Sequence, residues 1–210
     1  HRITNGGLFV GQLGDDVADQ AGEARWPNTA PWLASLGVDL VTINPWAFGV
    51  LGQRGPAAGT PPPGFAVEES FPDGSAIWRV TAEPADAVPV FRRQGWWASE
   101  LLPDGDIWRW MEDEGRLTVV APASGRYEMA FRARGLVPGA TYPLEIVGPD
   151  GAVTRVDVRG ETEVVVPLAM AGARGDVIID NVGPDPRPVG PGDPRTGTVQ
   201  VSEPALTRVG

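Results

Sequence analysis

Four tryptophans lie within fifteen residues of one another, at Trp96, Trp97, Trp108 and Trp110. Three acidic residues, Glu100, Asp104 and Asp106, stand between them. An aromatic ring can stack on the apolar C–H face of a pyranose, and neighbouring carboxylates accept hydrogen bonds from sugar hydroxyls. This segment is therefore the first candidate for a ligand-binding site.

The candidate segment is predicted to form two paired strands, because Pro103-Asp104-Gly105 has the chemistry of a tight turn. Side chains alternate along a strand, so Trp108 and Trp110 share one face. The other face carries Ile107, Arg109 and Met111. Only one of these faces can be exposed to solvent.

The four tryptophans are not expected to play one role. Trp96 and Trp97 are adjacent, so one is expected to be buried and the other, Trp97, to be available for stacking. Trp108 is a second candidate stacking ring, with a place in the core as its alternative, and the core is favoured for Trp110. The predicted sugar-binding residues are Trp97, Trp108, Glu100 and Asp106.

Two ion pairs are predicted near this segment. Glu100 and Arg109 flank the turn and are expected to pair across the strands, with the alternative that Arg109 orients Glu100 as an acceptor for a sugar hydroxyl. Asp193 and Arg195 are expected to pair with each other or with the backbone, which would hold a proline-rich crossover in place.

The acids around the turn also raise the question of a metal or a catalytic pair. Asp104, Asp106 and Glu112-Asp113-Glu114 form an acidic patch, but it lacks the regular spacing of a calcium loop, so solvated acids are favoured. We predict no metal and no cofactor. A metal-independent carbohydrate-active enzyme using two acids stays a third alternative, since the sequence does not fix the separation of any two carboxylates.

Composition excludes several function classes. The chain has no cysteine, and its only histidine is His1, which is either native or a tag remnant. A Ser-His-Asp triad, or a metal site built from histidine or cysteine, therefore lacks the residues that it needs. All 17 basic residues are arginine, and the net charge of -10 makes nucleic acid a poor partner.

The 210 residues are predicted to form two regions, a small α/β region over 1–90 and a β-sandwich over 91–210. In the first, a short helix is expected between Asn28 and Gly37, with Asn28 or Thr29 as its cap and Pro31 in its first turn. Strands are expected at Val38–Ile43 and Ala76–Thr81, and a surface loop at Gln53–Pro63.

From about Val88 onward, short β-prone runs recur with turn chemistry between them, as in an all-β sandwich. Arg126–Arg134 alternates apolar and charged residues, and Gly148-Pro149-Asp150-Gly151 predicts a hairpin turn. The other predicted strands are Tyr142–Val147, Val153–Val158, Glu163–Leu168, Asp176–Asn181 and Thr198–Leu206. Gly183–Pro194 holds five prolines and is expected to be an irregular crossover, so the fold class is mainly β with a jelly-roll-like antiparallel sandwich.

Several short motifs resemble the extracytoplasmic C-terminal part of bacterial polytopic membrane glycosyltransferases of the GT-C class. In the first region they are Asn5-Gly6-Gly7, the helix-to-strand step over residues 29–43, and Asp73–Val80. In the second they are Gly95-Trp96-Trp97 with Glu100, Arg109-Trp110, and Asp193-Pro194-Arg195.

The resemblance implies a non-catalytic domain that binds a carbohydrate or positions an acceptor, either a glycan or a lipid-linked sugar. The catalytic carboxylates and lipid-carrier site would then lie in an upstream transmembrane region, and this chain, which is not an enzyme by itself, would stand on the extracytoplasmic face. The longest apolar stretch here, Val164–Ala173, is too short to cross a membrane. The competing prediction is a structural or protein-interaction β-sandwich with no sugar ligand.

Overall fold

A computed structural model describes residues 3–4, 26–43, 60–92, 94–102 and 106–210. Contacts divide the chain into two compact units, His1–Ala85 and Asp86–Gly210. The predicted limits of the two regions, 1–90 and 91–210, stay a proposal.

The first unit contains helix α1 and a four-stranded sheet. Helix α1 spans Trp26–Ser35, and the strands are β1 (Ile3–Thr4), β2 (Leu40–Ile43), β3 (Phe65–Ser70) and β4 (Ala76–Val80). The sheet order is β1-β2-β4-β3, with β1 parallel to β2 and the other pairs antiparallel. Its core includes Leu33, Ile43 and Trp78, all at most 1% exposed.

The helix begins earlier than the sequence predicted. Asn28 and Thr29 lie inside the helix and are not its cap, because the first turn is formed by Trp26 and the residues after it. Its predicted end is confirmed: Gly37 has a φ of 71°, and the Val38 N–H donates to the Leu33 carbonyl at 3.0 Å. A left-handed glycine with this bond is a common helix stop.

The predicted strands of the first unit are confirmed in β2 and β4, although β2 begins only at Leu40. Strand β3 was not predicted. Of the predicted surface loop, residues 53–59 lie outside the described residues, and residues 60–63 form neither helix nor strand.

The second unit is a sandwich of two antiparallel sheets. The five-stranded sheet has the order β11-β10-β13-β8-β5. Its strands are β5 (Val88–Phe91), β8 (Glu114–Val120), β10 (Thr141–Val147), β11 (Val153–Arg159) and β13 (Arg174–Asn181).

The six-stranded sheet has the order β12-β9-β16-β7-β6, and β17 also pairs with β9. Its strands are β6 (Glu100–Leu101), β7 (Ile107–Met111), β9 (Gly125–Gly135), β12 (Glu161–Met170), β16 (Val199–Ser202) and β17 (Ala205–Val209).

The core of this unit lies between its two sheets, because each strand turns alternate apolar side chains inward. The five-stranded sheet contributes Leu117, Val119, Leu144, Ile146, Val177 and Ile179, and the six-stranded sheet contributes Met111, Tyr127, Met129, Phe131, Val164, Val166, Val199 and Val201. The predicted fold class, a mainly β antiparallel sandwich with a small N-terminal α/β region, is confirmed.

In the second unit, one local prediction is confirmed and two others differ from the structure. The β10–β11 hairpin is confirmed, with Gly151 at a φ of 80° and its N–H bonded to the Gly148 carbonyl. The predicted strand Thr198–Leu206 is two strands, β16 and β17, separated by Glu203-Pro204. The proline-rich crossover is mostly irregular but carries a two-residue strand β14 (Arg187–Pro188), which pairs with β15 (Thr196–Gly197).

Among the described residues, no helix has the length and apolar character needed to cross a membrane.

Candidate functional site

Strand β7 has one face in the core and one face on the outside of the six-stranded sheet. Met111 is 0% exposed within the core between the sheets, so the alternate residues Trp108 and Trp110 point outward. The predicted pairing across the turn is confirmed, with Glu100 opposite Trp108 in the β6–β7 register. The turn itself, residues 103–105, lies outside the described residues.

Trp96 and Trp97 have different surroundings, as their adjacency predicted. Trp96 belongs to the core, meets the Phe91 ring edge-on at 4.9 Å between centroids, and donates its indole N–H to the Arg116 carbonyl. Trp97 is partly exposed. It is nevertheless held at two points: its backbone N–H donates to the Trp110 carbonyl at 3.0 Å, and its indole N–H to the Thr196 carbonyl at 2.6 Å.

Glu100 lies in a polar network beside Trp97. Its Oε1 accepts a hydrogen bond from Arg195 Nη1 at 2.5 Å, and its Oε2 accepts one from Gln200 Nε2 at 3.0 Å. A carboxylate offers about four acceptor positions. Glu100 therefore has two acceptor positions left beyond these two bonds.

The predicted pair of Asp193 and Arg195 is confirmed and joins this network. Arg195 donates from Nη2 to Asp193 Oδ2 at 2.7 Å, and its backbone N–H bonds Asp193 Oδ1 at 2.9 Å. These bonds lower the pKa of Asp193 to about 2 and raise the pKa of Arg195. Both groups therefore stay charged through the physiological range.

The predicted pair of Glu100 and Arg109 is wrong. Arg109 is 5% exposed and points to the opposite face of β7, where its guanidinium lies 4.7 Å from the centre of the Phe91 ring. Its Nη1 reaches the Trp97 carbonyl at 3.4 Å. The alternation of β7 separates the two partners, because Glu100 is in register with Trp108.

Trp108 is 1% exposed, although it lies on the outward face. The guanidinium carbons of Arg132 and Arg134 lie over its ring, at 5.2 Å and 4.6 Å from the centroid. This burial corrects the expectation that Trp108 is a second stacking ring, since no ring face is left open. Trp110, for which the core was favoured, is only half-buried.

The indole Nε1 of Trp108 is buried and has no hydrogen-bond partner among the described residues. Such a donor costs about 1–3 kcal/mol. Two cation–π contacts of about 0.5–1 kcal/mol each offset much of that cost. The guanidinium groups are therefore part of what holds this ring in place.

Asp106, the fourth predicted site residue, forms an ion pair with Arg132, which also contacts Glu161 at 3.0 Å. The bond to Asp106 raises the pKa of Arg132. Asp104 of the predicted acidic patch lies outside the described residues. Within the part of the chain that the structure describes, no group of three or more acidic or histidine side chains is arranged to hold a metal ion.

Sequence reasoning missed Arg132, Arg134 and Gln200. The alternation of β9 indicated that its arginines face solvent, but not which strand lies beside it. The register supplies the answer: β16 pairs with β9 on one side and β7 on the other, so Gln200 stands between Arg134 and Trp110. Gln200 is 1% exposed.

No protein-family model matches the chain, and no curated protein sequence matches it. Solved structures do, and three of them are carbohydrate-binding modules. TmCBM61 in complex with β-1,4-galactotriose has 12% identity and a TM-score of 0.32, over 60% of this chain and 90% of that one. The module CBM6cm-2 from Cellvibrio mixtus lichenase 5A, in complex with cellotriose, has 14% identity and a TM-score of 0.35, over 56% and 89%. A family 35 module from Clostridium thermocellum has 20% identity and a TM-score of 0.34, over 55% and 91%.

Proposed function

We propose that the second unit is a non-catalytic carbohydrate-binding domain, with Trp97 as its stacking residue. The observation that supports this best is the state of Trp97. The residue is partly exposed, yet both its backbone and its indole N–H are fixed by hydrogen bonds. A preorganised aromatic platform loses little entropy when a ligand stacks on it.

Polar groups beside the ring complete the proposed site. Glu100 is held by Arg195 and Gln200 and retains acceptor capacity for sugar hydroxyls. Asp106 is proposed as a second acceptor. One stacked ring at about 0.5–1.5 kcal/mol beyond area burial, plus a few hydrogen bonds of about 1 kcal/mol each, gives an affinity near millimolar.

The test is titration with oligomers of arabinose, mannose and galactose, followed by tryptophan fluorescence and by NMR shifts. Trp97→Ala is expected to abolish binding, and Trp97→Phe to keep part of it. Phe71→Ala is the matched control, because Phe71 is an aromatic residue with 38% exposure in the first unit. If no saccharide changes the fluorescence or the NMR shifts of Trp97, the proposed carbohydrate-binding role is wrong.

We further propose that the domain positions an acceptor, either a glycan or a lipid-linked sugar, for a membrane glycosyltransferase on the extracytoplasmic face. This finer proposal is supported only by the sequence resemblance to the GT-C class. In a full-length enzyme, Trp97→Ala is expected to slow transfer to long acceptors while transfer to short acceptors is unchanged. Equal activity of both forms on long acceptors would contradict it.

The competing function is a structural or protein-interaction sandwich. One observation favours it: the Trp97 indole N–H and both oxygens of Glu100 already have partners within the protein. In that case Trp97→Ala lowers stability and leaves every saccharide titration flat, as in the wild-type protein.

A further inference from the structure

Three arginines on the outer face of the six-stranded sheet differ in how their charge is balanced. Arg195 contacts two carboxylates, and Arg132 contacts two others. Arg134 has no carboxylate within ion-pair distance in the described ranges. It contacts an amide and a ring: its Nε donates to Gln200 Oε1 at 2.8 Å, and its guanidinium lies over the Trp108 ring.

These two contacts fix the orientation of Arg134. The contact with the buried Trp108 ring and the bond to Gln200 restrain the guanidinium on two sides. The Gln200 amide is itself fixed, because its nitrogen donates to Glu100 at 3.0 Å. The terminal nitrogens Nη1 and Nη2 of Arg134 therefore form a rigid, half-buried donor fork.

The register places two strands, β16 and β7, between the backbone of Arg134 and that of Trp97. Arg134 is opposite Gln200, Gln200 is opposite Trp110, and the Trp97 backbone bonds Trp110 on the far side. Three strand spacings of roughly 4.8 Å separate the backbones of Trp97 and Arg134, which is about 14 Å. An oligosaccharide lying across these strands spans the separation between the two residues.

The surrounding charge decides what kind of saccharide fits. The face carries four arginines, at positions 126, 132, 134 and 195, against six carboxylates, on Glu100, Asp106, Glu128, Glu161, Glu163 and Asp193. The whole chain has a net charge of -10. An acidic sugar would add a negative charge to a surface that is already negative, whereas hydroxyl groups accept from the Arg134 fork without that repulsion.

We propose that Arg134 is a second sugar-contact residue, which donates to vicinal hydroxyls of a neutral oligosaccharide at a ring beyond the one stacked on Trp97. The same face selects neutral over acidic saccharides. This inference rests on the proposed carbohydrate-binding function and names its substrate class and extent.

The experiment compares monosaccharides with oligomers of three or more units, and neutral oligomers with galacturonate oligomers, by calorimetry and NMR titration. Arg134→Gln is expected to weaken binding of neutral oligomers about tenfold and to leave monosaccharide binding unchanged. Arg134→Lys keeps the charge but loses the fork, so it is expected to bind neutral oligomers almost as weakly as Arg134→Gln does. The control is Arg126→Gln, eight residues away on the same face of β9 and exposed, which is expected to change nothing.

Three outcomes overturn this inference while leaving the proposed function standing: equal loss in Arg134→Gln for monosaccharides and oligomers, no loss for either, or tighter binding of galacturonate than of neutral oligomers. In each of these, Trp97→Ala still abolishes binding. If no saccharide binds the wild-type protein, both the proposed function and the inference fail. Circular dichroism and melting of each variant separate a binding effect from a loss of fold.

Discussion

The two faces of the six-stranded sheet use the same residue types in opposite ways. On the inner face an arginine, Arg109, is buried against an aromatic ring, Phe91, among apolar side chains. On the outer face a tryptophan, Trp108, is buried beneath two arginines. Neither the residue type nor the fact of burial therefore identifies the site. The informative residue is Trp97, which is partly exposed although its backbone and its indole N–H are both hydrogen-bonded.

The largest expected effect contrasts two adjacent residues. Trp96→Ala removes a core ring that packs on Phe91, so it is expected to lower the free energy of unfolding by about 3–5 kcal/mol. Trp97→Ala removes a partly exposed ring and is expected to lower it by about 1 kcal/mol. Urea denaturation of both variants measures the difference. Comparable losses would break the contrast between the inner and outer faces.

A glycine on the facing strand tests how tightly Trp96 is packed. A Cβ placed on Gly115 would lie 2.3 Å from Trp96 Cζ2, too close for any contact. Gly115→Ala is therefore expected to lower the free energy of unfolding by about 1–3 kcal/mol through overpacking. In a Trp96→Ala background the same change is expected to be nearly neutral, because the ring it meets is gone. Additive losses in the double variant would show that Gly115 is needed for another reason.

The parts of the fold that the sequence predicted well are those set by neighbouring residues. The β10–β11 hairpin followed from one Pro-Asp-Gly turn, and the core face of β9 followed from strict alternation. The errors arose where contacts between strands that are distant in sequence determine the structure. Nothing near Glu100 in the sequence indicated that its partners are Arg195 and Gln200, which the crossover and β16 bring to it.

The same limit applies to the candidate site. The sequence singled out Trp97 and Glu100 because aromatic and acidic residues cluster there. It could not indicate that Trp108 would be covered, since the covering arginines come from β9 and reach it only through the strand order. The period of a strand predicts which side chains share a face, but the sheet order decides which of them touch.

The outer network is expected to weaken in acid. Hydrogen bonds from Arg195 lower the pKa of Asp193 to about 2, below its usual value of 3.8. The folded state therefore holds fewer protons here than the unfolded state, so this contribution to stability is complete above about pH 4 and is lost as pH falls toward about 2. Asp193→Asn is expected to flatten the pH dependence of the urea midpoint in this window. An unchanged profile would show that the pair does not contribute to stability.

The smallest expected effect concerns the outer face of the five-stranded sheet, where Asp180 lies between two other acids. Asp180 is in register with Glu145 on one side and Glu114 on the other. Burial, followed by the charges of Asp113, Glu114 and Glu145, raises the pKa of Asp180. Here the folded state holds more protons than the unfolded state, so the charged carboxylate destabilises the fold above its raised pKa.

Asp180→Asn is therefore expected to raise the free energy of unfolding at pH 7 by up to about 1 kcal/mol, since like charges directly opposite each other on a sheet are destabilising. The gain is expected to vanish below the ordinary carboxyl range, where Asp180 is protonated in both the folded and the unfolded state. Asp157→Asn is the control, because Asp157 is exposed and lies 3.4 Å from Arg159, so its loss is expected to change little. Urea midpoints of the three proteins at pH 7 and pH 3 measure the difference. A loss of stability in Asp180→Asn at pH 7 would mean that Asp180 makes a favourable contact that outweighs repulsion from its acidic neighbours, and the two outer faces would then not differ in the way their charges indicate.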